Sequence, residues 1–184
     1  MADKKVHGSA DIWLDPGEEG ANLEIEDFVS YRIVNLAFLI QRNLMRPYVV
    51  ESGLSIPEWR LLAMLSRQSP MPFSGLGARS LMDKSLVSRA LRQMVDKGLV
   101  SIDPDPQHKR KLLVSVAPAG RALYRRILPK ARRAQTTLIE ALSCEERAAL
   151  HSTLAKLMCS ANAPRDATGK PTGRTRKLIE PIEA

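Results

Sequence analysis

Apolar residues recur along most of this chain at intervals of three and four, and the breaks between those runs mark off a series of helices. The first run opens near Leu23. Phe28, Tyr31, Arg32, Asn35 and Leu39 share one broad helical sector, and Leu36 and Ile40 carry its apolar side toward Leu44. Pro47 and the corner Gly53-Leu54-Ser55 end it. Ser55 then caps a second helix with Pro57 in its first turn and Glu58 three positions on. It runs to about Arg67 with Trp59, Leu62 and Leu65 on its buried side. A break at Pro70 to Pro72 leads into a short helix, Ser74 to Leu81. Asp83 is placed to cap the next, in which Leu86, Ala90, Leu91 and Met94 recur at helical spacing and Gly98 supplies a left-handed stop.

Beyond Gly98 the pattern changes. Leu99 to Ile102 and Leu112 to Val116 are short runs rich in Val, Leu and Ile. Asp103-Pro104-Asp105-Pro106-Gln107 between them cannot continue a strand, because proline lacks the donor and fixes its backbone angle. The spacing predicts a hairpin. Pro118 to about Leu142 reads as a long helix with Pro129 inside it, where a kink is expected, and with an apolar stripe of Leu123, Ile127, Leu138 and Leu142. Ser143 and Glu146 form a capping box for a last helix, Glu145 to about Cys159, bearing Leu150, Leu154 and Leu157. Met1 to Asn22 is polar, acidic and interrupted by Pro16, Gly17 and Gly20, and residues 160–184 are rich in Pro, Gly, Thr and bases, including Lys170, Arg174, Arg176 and Lys177. Both ends read as flexible tails.

Charge gives this arrangement a direction. The formal net charge is +8 and the isoelectric point about 9.8, which points to a polyanionic partner. The bases are concentrated: thirteen Lys and Arg lie between Lys84 and Arg133, against Asp96, Asp103 and Asp105, whereas the first 27 residues hold eight acids against Lys4 and Lys5. On the helix after Asp83, the face opposite the apolar one carries Lys84, Ser85, Ser88, Arg89 and Arg92. These residue types donate to phosphates and, for Arg89, to a guanine edge. The hairpin tip carries His108, Lys109, Arg110 and Lys111 in succession. Taken separately, each is equally an ordinary solvated surface. Side by side, a helix and a ribbon of this kind can enter two adjacent grooves of a duplex.

The runs GLSIPEWRLLAML, MDKSLVSRALRQMVDKGLV and HKRKLLVSVAPAG, in that order and spacing, resemble the MarR family of winged helix-turn-helix transcriptional regulators over residues Leu54 to about Ala161. The resemblance implies a mainly α fold with a small β-hairpin wing. A winged helix-turn-helix lobe would span about residues 54–117, flanked by dimerisation helices at about 23–47 and 118–159. It implies that the helix starting near Asp83 enters the major groove, and that the arginine of the wing's Asp-x-Arg motif, here Arg110, enters the minor groove. Three positions depart from the family pattern: His108 stands for the motif's acid, Ile102 for an arginine on the first wing strand, and Ala117 for a threonine after the second. The terminal helices would pair two copies, so that a homodimer binds a pseudo-palindromic operator.

Family members commonly release DNA on binding a small anionic or aromatic effector between the dimerising helices and the reading lobe. Arg32 and Asn35, one turn apart among Phe28 and Tyr31, are the candidates here: an arginine pairs with a carboxylate, and the aromatic residues with Trp59 can cover a ring. Two other assignments stay open, an Arg32 salt bridge across the dimer with Trp59 as ordinary core, and a DNA-binding or architectural regulator that takes no ligand. Cys144, in the first turn of the last helix, makes a cysteine redox sensor a further alternative. Cys144 and Cys159 are fifteen positions apart and form no Cys-x-x-Cys metal pair.

Other classes fare poorly. There is no glycine-rich phosphate loop or nucleophile elbow, and His7, His108 and His151 fall on different elements, so neither an enzyme nor a cofactor is expected. No apolar run approaches the ~18 residues of a membrane helix, and no signal peptide is evident. Aromatic residues make up only 4% of the chain, too few for an interleaved RNA-stacking platform. The expected setting is the cytoplasm.

Overall fold

In the computed structural model, residues 10–108 and 110–163 are described. The outermost part of the acidic N-terminal segment, Lys109, and the basic residues from 164 onward lie outside them. The chain divides into two compact units, Met1–Ile56 and Pro57–Ala184.

The first unit begins where the sequence pattern suggests only a mobile tail. Ala10–Trp13 and Glu18–Gly20 form 3-10 turns, and the indole Nε1 of Trp13 donates to the carbonyl of Asp27 at 2.6 Å. A further 3-10 turn at Ile25–Asp27 precedes helix α1, Val29–Leu39, so the regular helix starts later than Leu23. Pro47 does not end the helix as expected. A π-helical segment, Ile40–Met45, widens the backbone just before helix α2, Arg46–Glu51, and Pro47 then falls in the first turn of α2, where its missing donor costs little. Gly53, at φ +71°, closes α2: its amide donates to Val50 and that of Leu54 to Val49, the paired bonds of a Schellman turn. Tyr48, Val49 and Leu54 are buried, whereas no residue of α1 is.

The second unit is built on helix α3, Ile56–Arg67, whose Trp59, Leu61, Leu62 and Leu65 are all buried. Strand β1, Met71–Pro72, leads into helix α4, Phe73–Ser80. Leu81 takes a left-handed conformation (φ +52°) and turns the chain into helix α5, Lys84–Asp96. Strands β2, Val100–Pro104, and β3, Leu112–Val116, form an antiparallel hairpin, and β1 joins the other side of β3, giving the order β1-β3-β2. Strand β2 runs through Asp103 and Pro104, which pair with Leu113 and Leu112. The expectation that a proline stops the strand fails because β2 is an edge strand, where the absent amide leaves no interior acceptor unpaired.

Leu76, Val87, Leu91, Met94, Val114 and Ile127 complete the core of this unit. Helix α6, Pro118–Glu140, contains Pro129, and helix α7 spans Cys144–Asn162. The capping box is formed: the Glu146 amide donates to Ser143 Oγ at 3.3 Å, and the Ser143 amide to the Glu146 carboxylate at 2.8 Å. The Arg147 guanidinium donates to the carbonyls of Ile139 and Leu142, covering the C-terminal end of α6. Like α1, α7 buries no residue.

Candidate nucleic-acid interface

Helix α5 is held by one face and free on the other. Val87, Ala90, Leu91 and Met94 are buried. Leu86, expected on that face, is only partly so, because the apolar arc is centred one position further along. Lys84, Ser85, Arg89 and Arg92 are exposed and Ser88 partly exposed, all within the polar arc. Asp83 occupies the N-cap position but its side chain makes no cap bond, contrary to expectation. The turn begins instead with the Val87 amide donating to the Asp83 carbonyl.

Helix and hairpin are joined by one short corner. Lys97 is the C-cap of α5, Gly98 follows at φ +66°, and Leu99 donates its amide to Met94. The Leu99 carbonyl accepts from Ala117 at 3.0 Å, which fixes the root of the hairpin beside the start of α6. On the far side of β3, the Val116 amide donates to Ser69 Oγ at 2.9 Å.

At the tip, Asp105 organises the turn. Its carboxylate accepts from the Gln107 amide at 2.8 Å, its carbonyl from the His108 amide at 3.1 Å, and its own amide donates to Lys111. The Lys111 amide donates in turn to the His108 carbonyl at 2.7 Å. An acid thus braces this tip although the motif's acidic position is His108. The sequence signal is the Asp-Pro-Gln run, an aspartate two residues before a free amide, which favours an Asx turn. His108, Arg110 and Lys111 are exposed, and among the described residues no ion pair engages Arg110, Lys111, Lys84, Arg89 or Arg92.

The effector candidates fall in different surroundings. Phe28, Tyr31 and Asn35 are exposed on the first unit. Arg32 donates to the Asp27 carboxylate and to the Glu26 carbonyl, both at 3.0 Å, and its guanidinium lies 5.1 Å from the centre of the Trp13 ring. In the second unit Trp59 is buried and stacked on Tyr124 of α6, ring centres 5.7 Å apart. Cys144 and Cys159 are both exposed. Among the described residues no group of His, Cys, Asp and Glu is arranged to hold a metal, and no helix is long and apolar enough to cross a membrane.

A MarR family profile matches residues 52–111. The chain is 31% identical over 96 residues to the homoprotocatechuate degradative operon repressor of Escherichia coli. That alignment takes in 52% of this chain and 60% of the repressor, so it spans less than two thirds of the curated relative. A crystal structure of a MarR family transcriptional regulator from Silicibacter pomeroyi is 32% identical, covers 76% of this chain and 93% of that one, and superposes with a TM-score of 0.63. A probable transcriptional regulator from Pseudomonas aeruginosa is 28% identical over 73% of this chain and 99% of that one, with a TM-score of 0.66. A polar-faced second helix of a helix-turn-helix beside a basic hairpin defines a winged-helix DNA-binding transcriptional regulator. The chain belongs to the MarR family.

Proposed function

We propose that this protein is a homodimeric, sequence-specific binder of double-stranded DNA, a repressor released from a pseudo-palindromic operator by a small aromatic or organic acid or its coenzyme A thioester. The observation that carries the reading is the exposed polar face of α5 joined through Gly98 to a basic wing. In this reading Lys84, Ser85, Ser88, Arg89 and Arg92 meet phosphates and base edges in the major groove, and Lys109, Arg110 and Lys111 serve the wing.

Dimerisation is supported by the terminal helices. Val34, Leu36 and Phe38 on α1 of the first unit, and separately Leu150, Leu154 and Met158 on α7 of the second, are exposed apolar side chains of the kind that a second copy would cover. Two lobes held at a fixed spacing then read successive major grooves. A ligand that prefers a different spacing would lower operator affinity by its differential affinity for the two states.

The effector class rests on Arg32 and Asn35 with Phe28 and Tyr31 in the first unit, with Trp59 of the second unit a separate candidate, and on the role of the Escherichia coli relative as repressor of a homoprotocatechuate degradative operon. A ligand-independent regulator is the second reading. It is favoured by the Arg32 pairing with Asp27 and by the Trp59 stacking on Tyr124, which occupy both groups within the protein. Selection of duplexes from a randomised library, followed by titration with homoprotocatechuate and its coenzyme A thioester, tests both. The proposed function expects an enriched two-fold motif and its release by at least one acid; enrichment without release leaves the ligand-independent regulator.

A further inference from the structure

Three consecutive side chains near the start of α3 tie that helix to three different elements. Glu58 accepts from Lys97 Nζ at 2.6 Å, Trp59 stacks on Tyr124 of α6, and Arg60 Nη2 donates to the carbonyl of Ser80 at the end of α4 at 2.6 Å. Successive side chains leave a helix about 100° apart, so a run of three fans out over more than half the circumference. The Arg60 bond satisfies a terminal carbonyl of α4 immediately before the left-handed Leu81, and the Trp59 stack is apolar packing. The Glu58 contact is different in kind.

The Glu58 side chain is 1% exposed and that of Lys97 is 41% exposed. Removing a carboxylate from water to this extent is costly, and an apolar pair would hold two helices together at least as well. An ion pair anchored on a buried carboxylate does supply a fixed geometry. Lys97 caps the C-terminal end of α5 and is followed by Gly98 and then by β2, so both proposed DNA-contacting elements depart from this corner. The opposite side of the corner is already clamped, through the Leu99 carbonyl, to the start of α6.

We propose that Glu58 is a positioning residue for DNA recognition: by pinning Lys97 it sets the angle between helix α5 and the wing, and so governs discrimination between sequences more than affinity for DNA in general. This rests on the assignment of α5 and the wing as the reading elements. It also opposes simple electrostatics, which would have the loss of an acid beside a basic surface strengthen binding to every duplex.

The test uses the full chain, a duplex that the wild-type protein enriches from a randomised library, and a scrambled duplex of the same length at one salt concentration. Glu58→Gln keeps an acceptor for Lys97 but removes the charge. It is expected to lower the ratio of selected to scrambled affinity by about tenfold, the scale of one mismatched base pair, while scrambled binding holds or rises. Lys97→Met should lower the same ratio, and Lys97→Arg should restore most of it. Unchanged ratios in Glu58→Gln and Lys97→Met overturn the proposal. So does loss of cooperative unfolding in both, which would make the pair purely structural. Failure of the wild-type protein to enrich any duplex removes the DNA-reading assignment itself, whereas enrichment with variants that match the wild type removes only the role of the pair.

Discussion

Gly120, in the first turn of α6, lies so close to the carbonyl oxygen of Leu99 that a methyl group on its α-carbon has no room, and the Val116 side chain closes the same space. The Leu99 carbonyl is held by the Ala117 amide and cannot retreat without breaking that bond. Gly120→Ala is therefore expected to cost about 1 to 3 kcal/mol of stability through forced backbone displacement. It should also weaken duplex binding, because the displaced segment is the root of the wing. Urea unfolding and gel-shift midpoints measured on the same preparation check both effects, and an unchanged unfolding midpoint would contradict the close approach.

Arg110 and Arg89 are both exposed and are expected to fail in different ways. Arg110→Ala should weaken operator binding and leave the unfolding midpoint where it was. Arg89→Ala should additionally relax sequence preference, by about 1 to 3 kcal/mol for each base pair it no longer reads. Equal weakening on selected and scrambled duplexes would reassign Arg89 to a phosphate contact.

Asp105 separates geometry from charge at the wing tip. Its carboxylate accepts from the Gln107 amide, so Asp105→Ala frees that amide and loosens the tip at a cost of about 1 kcal/mol or less, the site being exposed. Removing an acid near phosphates would by itself favour binding, so weaker duplex affinity in Asp105→Ala would show that shape dominates. Asp105→Asn retains the acceptor oxygen and should bind at least as tightly as the parent at matched salt.

The apolar side chains of α1 and α7 give a test of assembly that touches no proposed DNA contact. Phe38 is 59% exposed and Leu154 41% exposed. Phe38→Asp or Leu154→Asp is expected to yield a monomer in sedimentation and to abolish operator binding while helix content is kept. A dimer in both variants would move the interface elsewhere.

An effector carboxylate approaching Arg32 must compete with Asp27, which already holds the guanidinium at 3.0 Å. Asp27→Asn should raise the affinity for an aromatic acid such as homoprotocatechuate several-fold, and Arg32→Gln should lower it. Titration calorimetry on both variants reads the competition directly. Identical heats in parent and variants would separate Arg32 from the effector site.

Much of the second unit is legible in the sequence because its signals are local. The spacing of Ala90, Leu91 and Met94 with Gly98 locates α5, Trp59, Leu62 and Leu65 locate α3, and Ser143 with Glu146 locates the start of α7. What escapes depends on partners far along the chain. Strand β1 is two residues long, too short for any alternation, and exists because Met71 meets Val114 and Pro72 meets Leu113. Glu58 reads as a capping residue, since nothing nearby announces that Lys97 reaches it from 39 positions away. The same holds for Trp13, whose bond to the Asp27 carbonyl turns part of a polar, glycine-interrupted segment into ordered 3-10 turns. At the proposed interface the residue types on α5 and the tip are readable. The brace at Asp105 and the bare N-cap at Asp83 are not, because both depend on backbone angles that several residues set together.

The π-helical segment between α1 and α2 acts as a phase shifter. Each wide turn takes up about one residue more than an α-turn, so side chains after Met45 are rotated by about 100° from where an uninterrupted helix would carry them. Excising a single residue between Ile40 and Met45 should therefore leave helix content intact by circular dichroism while swinging Tyr48 and Val49 off the side on which they are now enclosed. That rod is keyed by residue count as much as by composition.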